Sequence, residues 1–156
     1  ESIENEVAEI AQKTLDISQF LVTKVGLKKN ATAHIDTAVN VTFHDPCHLK
    51  KSLGVAAEPR ALINANPGYR LKEMPEADRC CGLGGSFNLH YYELSSNIGR
   101  AKRNNIKASE SSVVATGCPA CMLQISDMLS QSDDKIAVKH PIEIYRELIK
   151  INGTHA

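Results

Sequence analysis

Five cysteines in three distant clusters constrain this chain more than any other feature: Cys47, the adjacent Cys80 and Cys81, and Cys118 with Cys121. Thirty-two residues separate Cys47 from Cys80, thirty-six separate Cys81 from Cys118, and Pro119-Ala120 lies between the last two. Their surroundings are distinctive: His44-Asp45-Pro46-Cys47-His48, Cys80-Cys81-Gly82-Leu83-Gly84-Gly85 and Gly117-Cys118-Pro119-Ala120-Cys121. Soft thiolates in such company suit an iron–sulfur cluster or zinc. If they share one metal, the fold must carry three remote loops to one place.

The pattern between the cysteines supplies such a fold. Short strands are expected at Val39 to Phe43, Tyr69 to Met74, Ser112 to Thr116 and Ile136 to Lys139. Helical stretches fall between them at Pro59 to Ala65, Phe87 to Ala108 and Cys118 to Leu129, with Pro141 to Ile151 closing the chain. Strands alternating with helices imply an α/β fold: a mainly parallel four-stranded sheet with helices on both faces, in Rossmann-like layers. Cys47, Cys80-Cys81 and Cys118 each follow a strand. In a parallel sheet all the strands' carboxyl ends share one edge, where ligands characteristically bind. The cysteines are expected at that edge.

Ahead of the first strand, Ile3, Val7, Ile10, Ile17, Leu21 and Val25 recur at helical spacing. They predict one amphipathic helix over 1–25, with Gly26 and Lys28-Lys29-Asn30 as its stop. It needs a partner, either its own sheet or a part of a longer parent protein. The chain opens on Glu1 in what reads as an established helix, so it is expected to be a piece of a longer polypeptide. Residues 1–30 are then a helix continuing from a missing N-terminal part, and 31–156 the cysteine-rich domain.

Composition excludes several classes. Eighteen basic residues balance 18 acidic ones. Lys50-Lys51 and Lys102-Arg103 are short pairs expected on polar surfaces, so no nucleic-acid stripe exists. No apolar run spans a bilayer, and an odd cysteine count without a secretory signal argues against a disulfide framework. Reduced thiols in the cytoplasm are the expectation.

Each constellation has its own chemistry. Cys118-Pro-Ala-Cys121 sits between strand and helix, where the helix N-terminus favours thiolate; taken alone it also fits a dithiol redox pair. Adjacent Cys80 and Cys81 point in different directions, which suits two metal atoms of a cluster better than one ion. Two buried thiols or a vicinal disulfide are the alternatives. Gly82, Gly84 and Gly85 fail the dinucleotide pattern, whose third glycine would fall at Phe87. They suit close backbone approach to a cluster and N–H groups aimed at sulfur.

His44 and His48 bracket Cys47. Either has the chemistry to ligate zinc or iron, although hydrogen bonding to the site is the commoner role for a histidine so placed. Asp45 before Pro46 is expected to shape the turn after the strand. His90 and His140 are expected to be structural, and Tyr91 and Tyr92 to be ordinary helix packing.

Taken together, Cys47, Cys80-Cys81-Gly82 and Cys118-Pro119-x-Cys121 resemble the cysteine-rich CCG domain. That domain occurs in heterodisulfide reductase, in the glycolate oxidase iron–sulfur subunit, in anaerobic glycerol-3-phosphate dehydrogenase and in lactate-utilisation iron–sulfur proteins. The likeness covers most of 38–150. His44 to His48, Gly84-Gly85-Ser86-Phe87-Asn88-Leu89 and His140-Pro141-Ile142-Glu143 look most like the glycolate and lactate branch.

The resemblance implies Cys47, Cys80, Cys81, Cys118 and Cys121 as metal ligands, with Gly82, Gly84 and Gly85 beside the cofactor. The cofactor implied is a 4Fe–4S cluster, which in some relatives is non-cubane; zinc is the alternative, with His48 a lesser candidate ligand. Family members commonly carry two copies of the motif and a ferredoxin-like segment, whereas this chain has one copy and fits the C-terminal one.

The expected role is an electron-transfer domain within a multi-subunit oxidoreductase acting on a hydroxy acid such as glycolate or lactate. Its partners would be a flavoprotein dehydrogenase subunit and another iron–sulfur subunit or domain, with membrane attachment only through them. Two further readings stay open: a cluster acting directly on a disulfide, and a zinc-stabilised interaction module without redox function.

Overall fold

The computed structural model describes residues 2–27 and 37–153 of the chain. Four strands, β1 Val39–Phe43, β2 Tyr69–Leu71, β3 Val113–Ala115 and β4 Ala137–Lys139, form one sheet in the order β2-β1-β3-β4. Every pairing is parallel, in register Val39 to Tyr69, Val41 to Val113 and Val113 to Ala137. The chain runs outward from β1 to β2 and then returns past β1 to β3. The topological switch, where a crevice opens at the carboxyl edge, therefore lies between β1 and β3.

Alternate strand residues face opposite ways. Val41, Phe43, Val113 and Ala115 pack with Ile63 of α3 (Ala57–Ala65) and Ile144 of α7 (Pro141–Gly153). On the other face Val114 packs with Ile106 of α5 (Tyr92–Ala108) and with Ile125 and Leu129 of α6 (Pro119–Ser130). Helices thus cover both faces, as the strand and helix alternation implies. Asn66 closes α3 onto α7: its side-chain amide donates to Ile144 O at 2.7 Å and its Oδ1 accepts from Gly68 N at 3.0 Å. At the start of α7 His140 forms a reciprocal cap. Its Nδ1 accepts from Ile142 N, while its own N–H donates to Glu143 Oε2.

Two expected helices are broken. The single helix over 1–25 is instead α1 (Ser2–Lys13), α2 (Ile17–Phe20) and a π-helical turn at Leu21–Val25. The break falls where Asp16 leaves helical geometry (ψ 149°) and its carboxylate accepts from Ser18 N at 2.8 Å, starting a new helix. A local cap outweighs continuous apolar spacing there. Leu21 and Leu27 then pack on Leu62, Ala65, Tyr145 and Leu148. Gly26 (φ 80°) follows the turn, whereas Lys28-Lys29-Asn30 lie outside the described residues.

Packing of this segment on its own domain stops short of α1, whose Ile3, Val7 and Ile10 are 73, 60 and 65% exposed. The second break divides 87–108 into α4 (Phe87–His90) and α5 at Tyr91, whose φ of −133° and ψ of 53° are not helical. Tyr91 and Tyr92 are exposed there rather than packed in a helix interface, and His90 is exposed beside them.

Because α1 presents its apolar face to solvent, replacing Ile3, Val7 and Ile10 together by Gln should change unfolding free energy by no more than about 0.5 kcal/mol. A urea titration checks this. A loss above about 2 kcal/mol would mean that α1 has a packing partner within the folded chain.

Candidate metal centre

The three cysteine loops meet. Cys47, Cys80, Cys81, Cys118 and Cys121 all line one cavity of about 190 Å³ at the carboxyl edge, together with His44, His48, Leu83, Ala120, Gly84 and Gly85. All five cysteines are free. Cys81, Cys118 and Cys121 are buried, whereas Cys47 and Cys80 are exposed at the rim. The vicinal pair therefore diverges, one sulfur inward and one outward, and forms no disulfide.

Local structure places each thiol. After β1, Pro46 and Cys47 lead into a π-helical turn, His48–Ser52, that leaves His48 exposed at the cavity wall and buries Leu49. Cys118 has extended geometry (φ −123°, ψ 118°) as the N-cap of α6, with Pro119 in the first turn, where a missing N–H is harmless. One turn on, Cys121 points back into the core beside Cys81, their sulfurs 3.3 Å apart. Within the motif at 118–121, then, it is Cys81 from another loop that sits against Cys121.

That thiol pair shares protons. Cys81 is held well below the ordinary thiol range, first by its hydrogen bond with Cys121 and further by a backbone hydrogen bond from Leu83. Cys121 is pushed up by the same bond with Cys81 and by burial. One proton leaves readily and the second is retained, because two bare thiolates in contact repel. A cation between them would remove that penalty. The donor set thus fits a metal.

The glycines divide. Gly84 and Gly85 line the cavity, but Gly82 does not. Gly82 is buried at φ 102°, where a Cβ would stand 2.5 Å from Ser95 O, so only glycine lets this loop lie against α5. Its N–H donates to Cys80 Sγ at 3.3 Å, so the residue still addresses a site sulfur, through its backbone.

Around the thiols stands a polar frame that the sequence reveals only in part. Asp45 does more than shape a turn: its carboxylate is a buried anchor (2% exposed). Arg60 grips it with two hydrogen bonds, 2.7 and 3.0 Å, and with its remaining donors binds Glu73 and Ala56 O. The Arg60 guanidinium also lies 4.8 Å from the centroid of the Phe43 ring.

Lys102 corrects the expectation of a polar surface, being 1% exposed. Its Nζ donates to Glu76 O at 2.7 Å and Ala77 O at 3.3 Å, in the loop that delivers Cys80 and Cys81. Burial lowers its pKa to about 8. The spacing of Ser95, Gly99, Lys102 and Ile106, all buried, is the signal that could have found it: Lys102 occupies the inward stripe of α5. His44, 1% exposed, also lines the cavity.

A family model described as a cysteine-rich domain, CCG, matches residues 41–126, and this chain belongs to that family. Over 117 residues (75% of this chain) it is 37% identical to a fumarate reductase (CoM/CoB) subunit of Methanothermobacter marburgensis, of which it covers 23%. Over 143 residues (92%) it is 34% identical to an uncharacterized iron-sulfur protein of Methanococcus maripaludis, covering 28% of it. It is 29% identical over 135 residues (86%) to lactate utilization protein A 2 of Bacillus cereus, covering 54%. The chain spans about a quarter of the length of the two methanogen relatives and about half that of the Bacillus relative.

Two measurements test the frame. Arg60→Met removes both hydrogen bonds to the buried Asp45 carboxylate, leaving it Lys50 Nζ at 3.6 Å, and should cost about 1–3 kcal/mol in denaturant unfolding. Asp45→Asn combined with Arg60→Met should cost clearly less than the sum of the two single changes. Additive costs would mean that the pair does not interact.

For Lys102 the folded pKa lies below its unfolded value of about 10.4. The unfolded chain therefore binds more protons between about pH 8 and 10.4, and stability rises with pH across that window. Wild type should gain stability over Lys102→Met between pH 8 and 10. An unchanged difference would show that Lys102 titrates normally.

Proposed function

We propose that this chain holds an iron–sulfur cluster of the 4Fe–4S type in that cavity, through Cys47, Cys80, Cys81, Cys118 and Cys121. It would act as an electron-transfer module of a multi-subunit oxidoreductase. The observation that carries the reading is five free thiols from three loops on one cavity wall. Five sulfurs exceed the four places of a tetrahedral ion, and the diverging Cys80 and Cys81 suit separate metal atoms. When bound, a cluster of this kind supplies one-electron transfer.

This chain's residues have distinct tasks in that role. Cys81, Cys118 and Cys121 hold the buried side, and Cys47 and Cys80 the solvent side. Leu83 and Ala120 keep water from the interior wall. The Gly82 N–H on Cys80 Sγ and the buried Lys102 ammonium add positive potential near the thiolates, which eases reduction. Electrons would enter and leave at the exposed rim formed by Cys47 and Cys80.

The relatives named for lactate utilization and for fumarate reduction support a place in a larger oxidoreductase. Within it, a hydroxy acid such as lactate or glycolate is the proposed ultimate reductant, reached through a flavoprotein partner. No helix among the described residues is long and apolar enough to cross a membrane, and attachment through partners is the arrangement proposed.

Zinc is the competing occupant, and one observation favours it. A ring nitrogen of His44 and the sulfurs of Cys81 and Cys121 lie within 4.8 Å of one another, three corners of a tetrahedral site that Cys118 would complete.

Anaerobic reconstitution followed by iron and acid-labile sulfide assay should give about four of each per chain, with a paramagnetic signal after one-electron reduction. Cys81→Ser should lower iron content by at least about half. A stoichiometric zinc protein that never takes up iron would replace this reading with the structural one.

A further inference from the structure

His44 has a geometry that the five thiols do not account for. It is 1% exposed, yet its ring lies on the cavity wall. Nδ1 lies 3.1 Å from Ala77 O. A carbonyl only accepts, so Nδ1 carries a proton, and when the ring is neutral Nε2 is a bare lone pair. Nε2 is buried and has no hydrogen-bond partner. An acceptor left this way costs about 1–3 kcal/mol, and of the buried side-chain polar atoms without a partner among the described residues only His44 Nε2 belongs to the cavity wall.

A metal is the use that matches. Ligating histidines characteristically donate their other N–H to a carboxylate or backbone carbonyl, which sets tautomer and ring direction. Ala77 O does this here, and it is fixed in turn by Asp45 N at 3.0 Å. One ring nitrogen lies within 4.8 Å of both Cys81 and Cys121 sulfurs. A neutral nitrogen also adds a ligand without adding charge to a crowd of buried thiolates.

We propose that His44 binds the metal centre through Nε2, making this a mixed sulfur and nitrogen site. The inference rests on the reading that the cavity holds a metal, but not on which metal. His48, the other histidine on the cavity wall, is exposed and takes no part.

The test labels histidine with 15N and loads the chain in two ways: anaerobically with iron and sulfide, and separately with 113Cd(II) as a zinc surrogate. Electron–nuclear double resonance of the reduced iron protein should show one strongly coupled 15N. The cadmium protein should show a one-bond 113Cd–15N coupling by NMR. Both should vanish in His44→Gln and persist in His48→Gln.

Coupling that survives His44→Gln, or only weak through-space coupling in wild type, overturns the assignment. If no cluster forms but the cadmium coupling appears and depends on His44, the iron–sulfur function fails while the His44 ligand stands. A cluster without nitrogen coupling in either arm does the reverse, and failure to take up either metal overturns both. Should His44→Gln not fold, wild type and His48→Gln decide, because only these two histidines among the described residues line the cavity.

Discussion

The carbonyl of Ala77 receives donors from two separate parts of the fold. The Asp45 backbone N–H and His44 Nδ1 reach it from the turn after β1, at 3.0 and 3.1 Å. The Lys102 ammonium approaches from α5 at 3.3 Å while binding Glu76 O more closely. Three residues further on, the chain delivers Cys80 and Cys81. The sheet alone brings loops to a common edge; it does not fix their separation to within a bond length. Charge-assisted and backbone hydrogen bonds carry narrow distance and angle preferences that apolar packing lacks. Through this junction the loop bearing the adjacent cysteines is tied to the strand end that bears Cys47.

Sheet order then supplies the third partner. With β1 and β3 central and adjacent, the loops after them leave the switch point on either side of one crevice. His44 N still donates to Ala115 O at 2.9 Å, extending the ladder one residue beyond β1. The chain at Cys118 is therefore held in parallel register with the chain at Cys47. The strands need be only three to five residues long, since their task is to aim four ends at one edge. Apolar packing on both faces, around Ile63 and Ile144 on one and Ile106 and Ile125 on the other, keeps that aim rigid.

Much of this is legible in the residues. Valine-rich runs and periodic helices indicate the layered α/β class, because β-branched pairs and 3.6-residue spacing are local signals. The cysteines' positions just after strands indicate their meeting place, because parallel topology is nearly obligatory for that alternation. What escapes such a reading is set by tertiary partners or by local competition. Asp16 carries a capping signal, but the apolar positions on either side keep helical phase and conceal the break. Phe87 and Tyr91 stand four apart and their rings pack 5.5 Å from each other, a spacing that reads as continuous helix and conceals the interruption at Tyr91. Lys102 sits in a charged pair that reads as surface, and only its register with Gly99 and Ile106 shows that it faces inward. His44 and His48 are equivalent in sequence, and only burial and the Ala77 carbonyl distinguish them.

A ring of buried charge around a thiol cavity looks uneconomical at first. Asp45, Arg60 and Lys102 each lose hydration, and well-packed apolar residues would serve stability as well or better. Stability is not what the site lacks, however. Thiol–thiol contacts set few directional limits on spacing, and Cys81 and Cys121 stand only 3.3 Å apart. Apolar neighbours would let the loops close further, since hydrophobic contact is non-directional. Directional anchors behind the thiols resist that closure: Arg60 holds Asp45 from one side, Lys102 holds the 76–77 carbonyls from another, and each is satisfied at more than one atom. Their desolvation cost is set against thiols held at a fixed spacing. The frame and the thiols are one device, so a change in the frame would alter the affinity for the proposed metal without touching any of the five cysteines.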